Sequence, residues 1–413
     1  MPAIEIPKCG EFDMSFKSVK RKIRRKISRY GGDKEKELYS SLLSYPTKQV
    51  QPESSYVLFV HGAQYGGAPL LGLDIAKDLI CQGNQVVIVS LGYGPLISSY
   101  ASVTNVQVCA NDLELNSCIH ILSDLGFSMA ICNGALTGRS VPTLRRYNFS
   151  IISLIHELPG VVNYFDADNT VRQIIQYSDS LIYPASFVKA QMEKKYGTNP
   201  NTLILHQGLA NIADNQLTKV EAKKVIEDKY HFDNNKPLFI NVATINERKG
   251  FDLFAEMAVK NAQANYLWIG DGIEGRFGRK VMSKYAGVPS NLVLPGYVDD
   301  KKLLDTIYRA ADMLLLTSRE EPFGTIVLEA FARETPVAAF TGCGGYEDVV
   351  IPFKTGILVS PFDTNAMIDK CTALIHDGAA LQEMYSECRK IAVASDFTAY
   401  CKRIKQSIHI HND

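Results

Sequence analysis

Short runs of β-branched and apolar residues recur along this chain, each parted from the next by a helical stretch. "YVLFVHG" (56–62) is followed by the helical "APLLGLDIAKDLICQG", then by "QVVIVSLG", and further on come "MAICNG", "SIISLIHE", "SLIYPAS" and "TLILHQG". Strands this apolar are covered on both faces, and strands alternating with helices build a parallel sheet. The charged stretch "LTKVEAKKVIEDKYHFDNNKP" (217–237) carries no strand signal. The rhythm then restarts with "LFINVATI", "ANYLWIGDG", "NLVLPGYV", "ADMLLLTS", "TPVAAFTG" and "TGILVSP". The spacing predicts an α/β chain with two doubly wound domains, 52–216 and 237–395, joined by a linker at 217–236. A segment 1–51 precedes them and a segment 396–413 follows. Open α/β sheets take ligands outside the carboxyl ends of their strands, so two facing sheets would set one such edge on each side of a cleft.

A length of 413 residues suits two such domains, and 46% hydrophobic with 21% charged residues suits real cores. Lys+Arg and Asp+Glu both number 44, so no global field points to nucleic acid. The 9 cysteines form no C-x-x-C pair and read as free thiols packed as small hydrophobes in a reducing cytoplasm. No run of about 18 apolar residues predicts a spanning helix, and "MPAIEIPKCG" is not a secretory signal.

The chemistry-bearing stretch is "SREEPFGTIVLEA" (318–330), after the strand run "ADMLLLTS". A helix is expected from Phe323 or Gly324, with Pro322 in its first turn. The N–H groups of Gly324, Thr325 and Ile326 would then form an anion site that a phosphate can approach closely over glycine. Glu321 would face whatever is joined to that phosphate, and Glu329 suits two neighbouring hydroxyls, as in a ribose. On spacing alone the plainer reading weighs evenly: Glu321 as a helix-start charge worth about 0.3–1 kcal/mol and Glu329 as a solvated side chain.

"NERKGFDLF" (246–254) places Arg248 and Lys249 where a strand of the same domain ends, a position from which two cations could neutralise a diphosphate. "GDGIEG", with Gly270 and Gly272, matches G-x-G-x-x-G but follows the second strand of its domain. No acid-ended strand lies about 20 residues on, so it reads as a nucleotide-side loop and not as a dinucleotide fingerprint. In the first domain Gly66 and Gly67 open a helix and could let backbone approach a ligand, a reading no stronger than a plain turn. His156 stands at a strand's carboxyl end in "LIHELPG". No G-x-S-x-G, H-E-x-x-H, Walker A or paired-cysteine motif is present, and no metal cluster is evident.

Together these pieces resemble the family 4 glycosyltransferases, whose GT-B fold pairs two facing Rossmann-like domains. The resemblance covers about residues 52 to 405. It is carried by "ERKG", "IGDG", "LPGYV", "EPFGTIVLE", "GCGGYEDVV" and "GILVSP", with "GGA", "LIHELPG" and "YPASFVK" ahead of them. It implies transfer of a hexose, with retention, from a nucleotide-sugar to a glycan or lipid-linked glycan, in surface polysaccharide or glycoconjugate assembly, with no metal and no cofactor. Carried over by position, Lys249 and the helix start at Gly324–Thr325 would bind the diphosphate, and Glu329 the ribose. Glu321 would stand near the anomeric centre, His156 would hydrogen-bond the sugar, and Tyr297–Val298 would lie beside the base. "DFTAYCKRI" is similar to the family's final helix, which crosses back to the first domain. One departure stands out: many members place an Arg where this chain has Ala243 or Thr244, and Arg248 would supply the second cation instead. An inactive partner subunit or chaperone of another glycosyltransferase is the alternative, and a nicotinamide enzyme using "GDGIEG" is a third reading. Acceptor specificity would reside in first-domain loops such as 91–108 and 134–148.

Residues 16–30, "FKSVKRKIRRKISRY", hold eight Lys/Arg and no acid, with Phe16, Val19, Ile23, Ile27 and Tyr30 on one stripe if helical. As an interfacial helix the segment would hold the protein at an anionic surface, the inner face of the cytoplasmic membrane, with each cation worth about 1 kcal/mol. As a solvated arm it would not. Removal of residues 1–30 is expected to abolish sedimentation with anionic liposomes, and unchanged sedimentation would exclude this segment as the anchor.

Overall fold

The computed structural model describes residues 50–210 and 217–408. The basic stripe at 16–30 lies outside them. Two sheets form, of seven and six strands. The first contains β1 (Ser55–Val60), β2 (Gln85–Ser90), β3 (Asn105–Val108), β4 (Met129–Asn133), β5 (Ser150–Leu154), β6 (Ser180–Tyr183) and β7 (Thr202–Ile204), in the order β3-β2-β1-β4-β5-β6-β7. The second contains β8 (Leu238–Val242), β9 (Asn265–Ile269), β10 (Leu292–Gly296), β11 (Met313–Leu316), β12 (Val337–Phe340) and β13 (Gly356–Val359), in the order β10-β9-β8-β11-β12-β13. Strand pairing is parallel along the second sheet and from β3 to β5 of the first. Both orders reverse beside their first strand, at β1/β4 and at β8/β11. These are the switch points of a doubly wound fold, where the loops diverge and leave a crevice.

Strand composition accounts for the burial. All six residues of β1 are buried, as are all four of β11 and of β12. Among the helices that cover the sheets are Gly67–Cys81 in the first and Phe251–Lys260 in the second, and both turn their apolar side chains inward. Eight described cysteines are free thiols, seven of them buried.

The described residues divide into two compact units. One runs through Leu154 and adds Asp166–Leu181 and Ile408; the other comprises Ile155–Phe165 and Ile182–Ser407. The charged stretch after residue 217 forms the helix Lys219–Tyr230, started by a capping box in which Thr218 and Glu221 bond each other's backbone N–H groups. Its first residue, Lys219, turns its ammonium into a cage of acceptors. It donates to the carbonyls of Ala311 (2.6 Å) and Arg309 (3.2 Å), with the Glu334 carbonyl and Thr335 Oγ1 each at 3.4 Å. It also lies 4.4 Å from the Tyr385 ring centroid. Burial pushes its pKa down to about 7, with the charges of Asp312 and Glu334 pulling the other way.

Unfolded, a lysine keeps its proton to roughly pH 10. Between about pH 7 and pH 10 the unfolded chain therefore binds more protons than the folded one, and stability rises with pH. Lys219→Met is expected to remove that rise, which amounts to at most about 1.4 kcal/mol per pH unit. Melting temperatures of both proteins from about pH 6.5 to 9.5 measure it, and parallel curves would show that Lys219 does not titrate in this range.

Candidate active site

The site in the second unit is built on the loops that leave β8 and β11, the two strands at the switch point. Asn241, buried in β8, donates to the Leu315 carbonyl (2.7 Å) and to Thr317 Oγ1 (3.2 Å). Beyond the strands the backbones nearly touch. Gly250 has φ +69°, and a Cβ there would sit 2.0 Å from the Thr317 carbonyl oxygen, so no other residue fits without displacing backbone. Thr317 Oγ1 donates to the Lys249 carbonyl (3.0 Å) and the Arg319 N–H to the Arg248 carbonyl (2.8 Å). The Arg319 guanidinium bonds both oxygens of Asp252 (2.8 and 2.6 Å) and the Glu247 carbonyl (2.7 Å), and the two loops act as one.

This joining brings Lys249 and Glu321 together. The Lys249 ammonium donates to Glu321 Oε2, Ser318 Oγ donates to the same oxygen (3.2 Å), and Arg248 Nη1 lies 3.9 Å from it while donating to the Glu320 carbonyl (2.8 Å). The Glu321 side chain is 9% exposed and that of Lys249 18%, so the pair is largely desolvated. The Glu321 backbone is fixed as well, with its N–H on the Cys343 carbonyl (2.9 Å) and its own carbonyl accepting from Gly345 (3.0 Å).

The helix begins at Thr325 and not at Phe323 or Gly324. Gly324 is its N-cap, with φ +80° and ψ +75°, and the helix runs Thr325–Ala332. Pro322 therefore precedes the first turn. Its carbonyl lies 3.2 Å from the Gly345 N–H in the same turn that holds Glu321, and this tertiary contact delays the helix by one to two residues. The first N–H groups of the helix have no partner within it, so an anion-favouring end stands just past Glu321. Glu329, inside the helix and half-buried, accepts a hydrogen bond from Tyr308 (2.8 Å). Burial raises its pKa, and the Tyr308 bond and the Arg333 charge draw it back. Glu329 is thus a fixed acceptor rather than a solvated helix charge.

The glycines of "GDGIEG" have a structural reason. Gly270 (φ +141°) and Gly272 (φ +116°) carry their backbone against that of Ala243 and Ile245, where a Cβ would come within 2.1 and 2.7 Å of those carbonyl oxygens. The loop after β9 thus braces the loop that bears Lys249. The Asp271 carboxylate accepts from the Tyr297 N–H (3.0 Å), and Tyr297, 69% exposed, continues the same edge with Val298 beside it. His156, past the end of β5, also falls in the second unit. Gly66 and Gly67 stand in the first, as the N-cap and first residue of Gly67–Cys81. A Cβ at Gly67 would meet nothing within 4 Å, so packing does not demand glycine there. Arg319, Ser318 and Tyr308 carry no signal of their own in the sequence. Arg319 stands inside "SREEPF", but its partner Asp252 is 67 residues away, and Tyr308 lies in a separate helix with no motif around it.

Residues 222–392 match the family model described as glycosyl transferases group 1. This segment resembles that family. It contains Arg248, Lys249, Glu321, Gly324, Thr325 and Glu329. Among similar curated proteins, a processive diacylglycerol alpha-glucosyltransferase of Acholeplasma laidlawii is 27% identical over 169 residues, 40% of this chain and 49% of that one. The sulfoquinovosyl transferase SQD2 of Arabidopsis thaliana is 28% identical over 41% of this chain and 32% of its own length. A lipopolysaccharide core mannosyltransferase, LpsB of Rhizobium meliloti, is 27% identical over 43% and 51%. The chain thus spans about half the length of these relatives or less. The structure of Anabaena HepE in complex with UDP-glucose superposes with a TM-score of 0.73 at 15% identity, over 86% of this chain and 99% of that one. A sucrose-phosphate synthase from Thermosynechococcus elongatus gives 0.69 at 20%, over 86% and 98%. The fold is the two-sheet GT-B architecture of these glycosyltransferases.

Lys249→Ala leaves the Glu321 carboxylate buried without its cation and is expected to cost about 2–4 kcal/mol. Glu321→Gln added to it should recover part of that loss. Denaturant unfolding of the two single variants and the double variant closes the cycle, and strict additivity would show that the pair is not coupled.

Proposed function

We propose that this protein is a metal-independent, retaining glycosyltransferase that moves a hexose from a nucleotide-diphosphate sugar to a glycan or lipid-linked glycan. The observation that carries the reading is the Lys249–Glu321 pair at the β8/β11 switch point, next to the N-terminus of Thr325–Ala332 and inside the segment that matches the family. A diphosphate laid on that helix start would compete with Glu321 for the Lys249 ammonium. Its negative charge, which grows as the bond from the anomeric carbon to the diphosphate oxygen breaks, would meet Lys249, Arg248 and the first N–H groups of the helix. These are the groups from which a leaving group can draw stabilisation without a bound cation. Glu321, released from Lys249, would then accept a hydrogen bond from the donor sugar near the reacting carbon. Glu329, steadied by Tyr308, would accept from the ribose hydroxyls, and Tyr297 and Val298 would flank the base. The acceptor hydroxyl forms the new bond at the anomeric carbon as the bond to the diphosphate oxygen breaks, its proton passes to that departing oxygen, and the nucleoside diphosphate leaves.

The acceptor class draws support from relatives whose names place them on diacylglycerol and on the lipopolysaccharide core, and the donor class from UDP-glucose in HepE. Among the described residues no helix is long and apolar enough to cross a membrane. A cytoplasmic enzyme held at the inner membrane face by residues 16–30 is the placement we propose.

Incubation of the full chain with a panel of nucleotide-sugars and crude lipid or glycan acceptors, read by mass spectrometry, tests the assignment. Transfer is expected to persist in EDTA. It should fall by a factor of about 10³ or more in Glu321→Gln and Lys249→Met, which keep their residues' size. Near-wild-type turnover in either variant would overturn the site.

A further inference from the structure

The turn that leads from Glu321 into the helix Thr325–Ala332 has few holds of its own. Pro322 offers no N–H, Gly324 sits at φ +80°, and no side chain caps the helix. The ring of Phe323 is buried in this turn, and His206 stacks on it with 5.5 Å between centroids and 15° between planes. His206 is itself fixed. Its Nε2 lies 3.1 Å from Asp348 Oδ2, an oxygen that also accepts from the Ser186 N–H (2.8 Å). A carboxylate oxygen only accepts, so Nε2 carries a proton and points the ring at Asp348. Ahead of His206 the Leu205 N–H bonds the Tyr183 carbonyl (2.9 Å). After it, buried Gln207 sets its side-chain amide nitrogen 3.0 Å from His156 Nδ1, and a Cβ at Gly208 would meet Phe397 Cα at 2.6 Å. All of these residues belong to the second unit.

The two sides of the turn are thus held differently. Pro322 is held through backbone, by Gly345, which has room for no Cβ between the Pro322 carbonyl oxygen (2.1 Å) and the Ala185 side chain (2.3 Å). Phe323 is held through its ring, by His206. We propose that His206 is a positioning residue: by clamping Phe323 it fixes where the helix start stands relative to Glu321. The effect on turnover rests on the function proposed above, whereas the clamp does not. His206→Ala removes the ring and its bond to Asp348. His206→Phe keeps an aromatic ring against Phe323 and loses only that bond.

Hydrogen–deuterium exchange of the full chain, read by mass spectrometry on fragments spanning residues 318–328, reports the clamp. The Glu321 N–H on the Cys343 carbonyl and the Val327 N–H on the Gly324 carbonyl, 2.9 Å each, bracket the turn. His206→Ala is expected to speed exchange there about fivefold to tenfold, the worth of one aromatic pair, while fragments spanning β12 stay unchanged. His206→Phe should restore the wild-type rate of exchange. With UDP-glucose as donor, kcat/KM should fall about tenfold in His206→Ala and recover in His206→Phe. Unchanged exchange at 318–328 in His206→Ala overturns the proposal, and so does failure of His206→Phe to restore it. An equal rise in the β12 fragments would mark His206 as merely structural, and local loosening with kcat/KM unmoved would remove its positioning role. Failure of the wild type to use UDP-glucose counts against the donor reading, and the exchange pattern then decides the clamp by itself.

Discussion

Everything at the candidate site depends on the close approach of two backbones, Gly250 against Thr317. Two parallel strands at a switch point send their following helices to opposite faces of the sheet, and their loops would ordinarily part. Here they are drawn together instead. Glycine removes the Cβ that would hold the chains apart, Thr317 and Asn241 bond across the gap, and Arg319 closes it from the outer side by gripping Asp252 and the Glu247 carbonyl. Lys249 and Glu321, 72 residues apart in the chain, meet as a result.

That meeting gives the site a defined electrostatic state. A buried carboxylate alone would be costly, and so would a buried ammonium. Paired, each offsets the other's desolvation, and Ser318 adds a third contact. Glu329 follows a different logic. Its partner Tyr308 is a neutral donor that fixes the carboxylate's direction without cancelling its charge.

The parts of the structure legible in the sequence were those written in local pattern. Runs such as "YVLFV" and "MLLL" are too apolar for anything but doubly covered strands, and their alternation with helical segments gives both sheets. The acids of "EEPFGTIVLE" and the cations of "ERKG" were legible because each follows a strand run directly. The exact start of the helix was not, because a contact from Gly345, remote in sequence, holds Pro322 outside it. The glycines of "GDGIEG" read toward a ligand, yet Gly270 and Gly272 are needed for backbone packing against Ala243 and Ile245. No local signal could distinguish these two demands, since both ask only for a missing Cβ.

The sequence by itself determined the α/β class, the two strand series, and which strand ends carry charge. Those are consequences of side-chain period and of turn chemistry, which act over a few residues. Only the tertiary structure decided that Lys249 and Glu321 form a buried pair, that Tyr308 aims Glu329, that Arg319 locks the two loops, and that Gln207 reaches His156. Each of these joins residues between 21 and 72 positions apart. Contacts at that range are set by strand order and by the distance of closest approach between backbones, neither of which any short stretch of chain encodes.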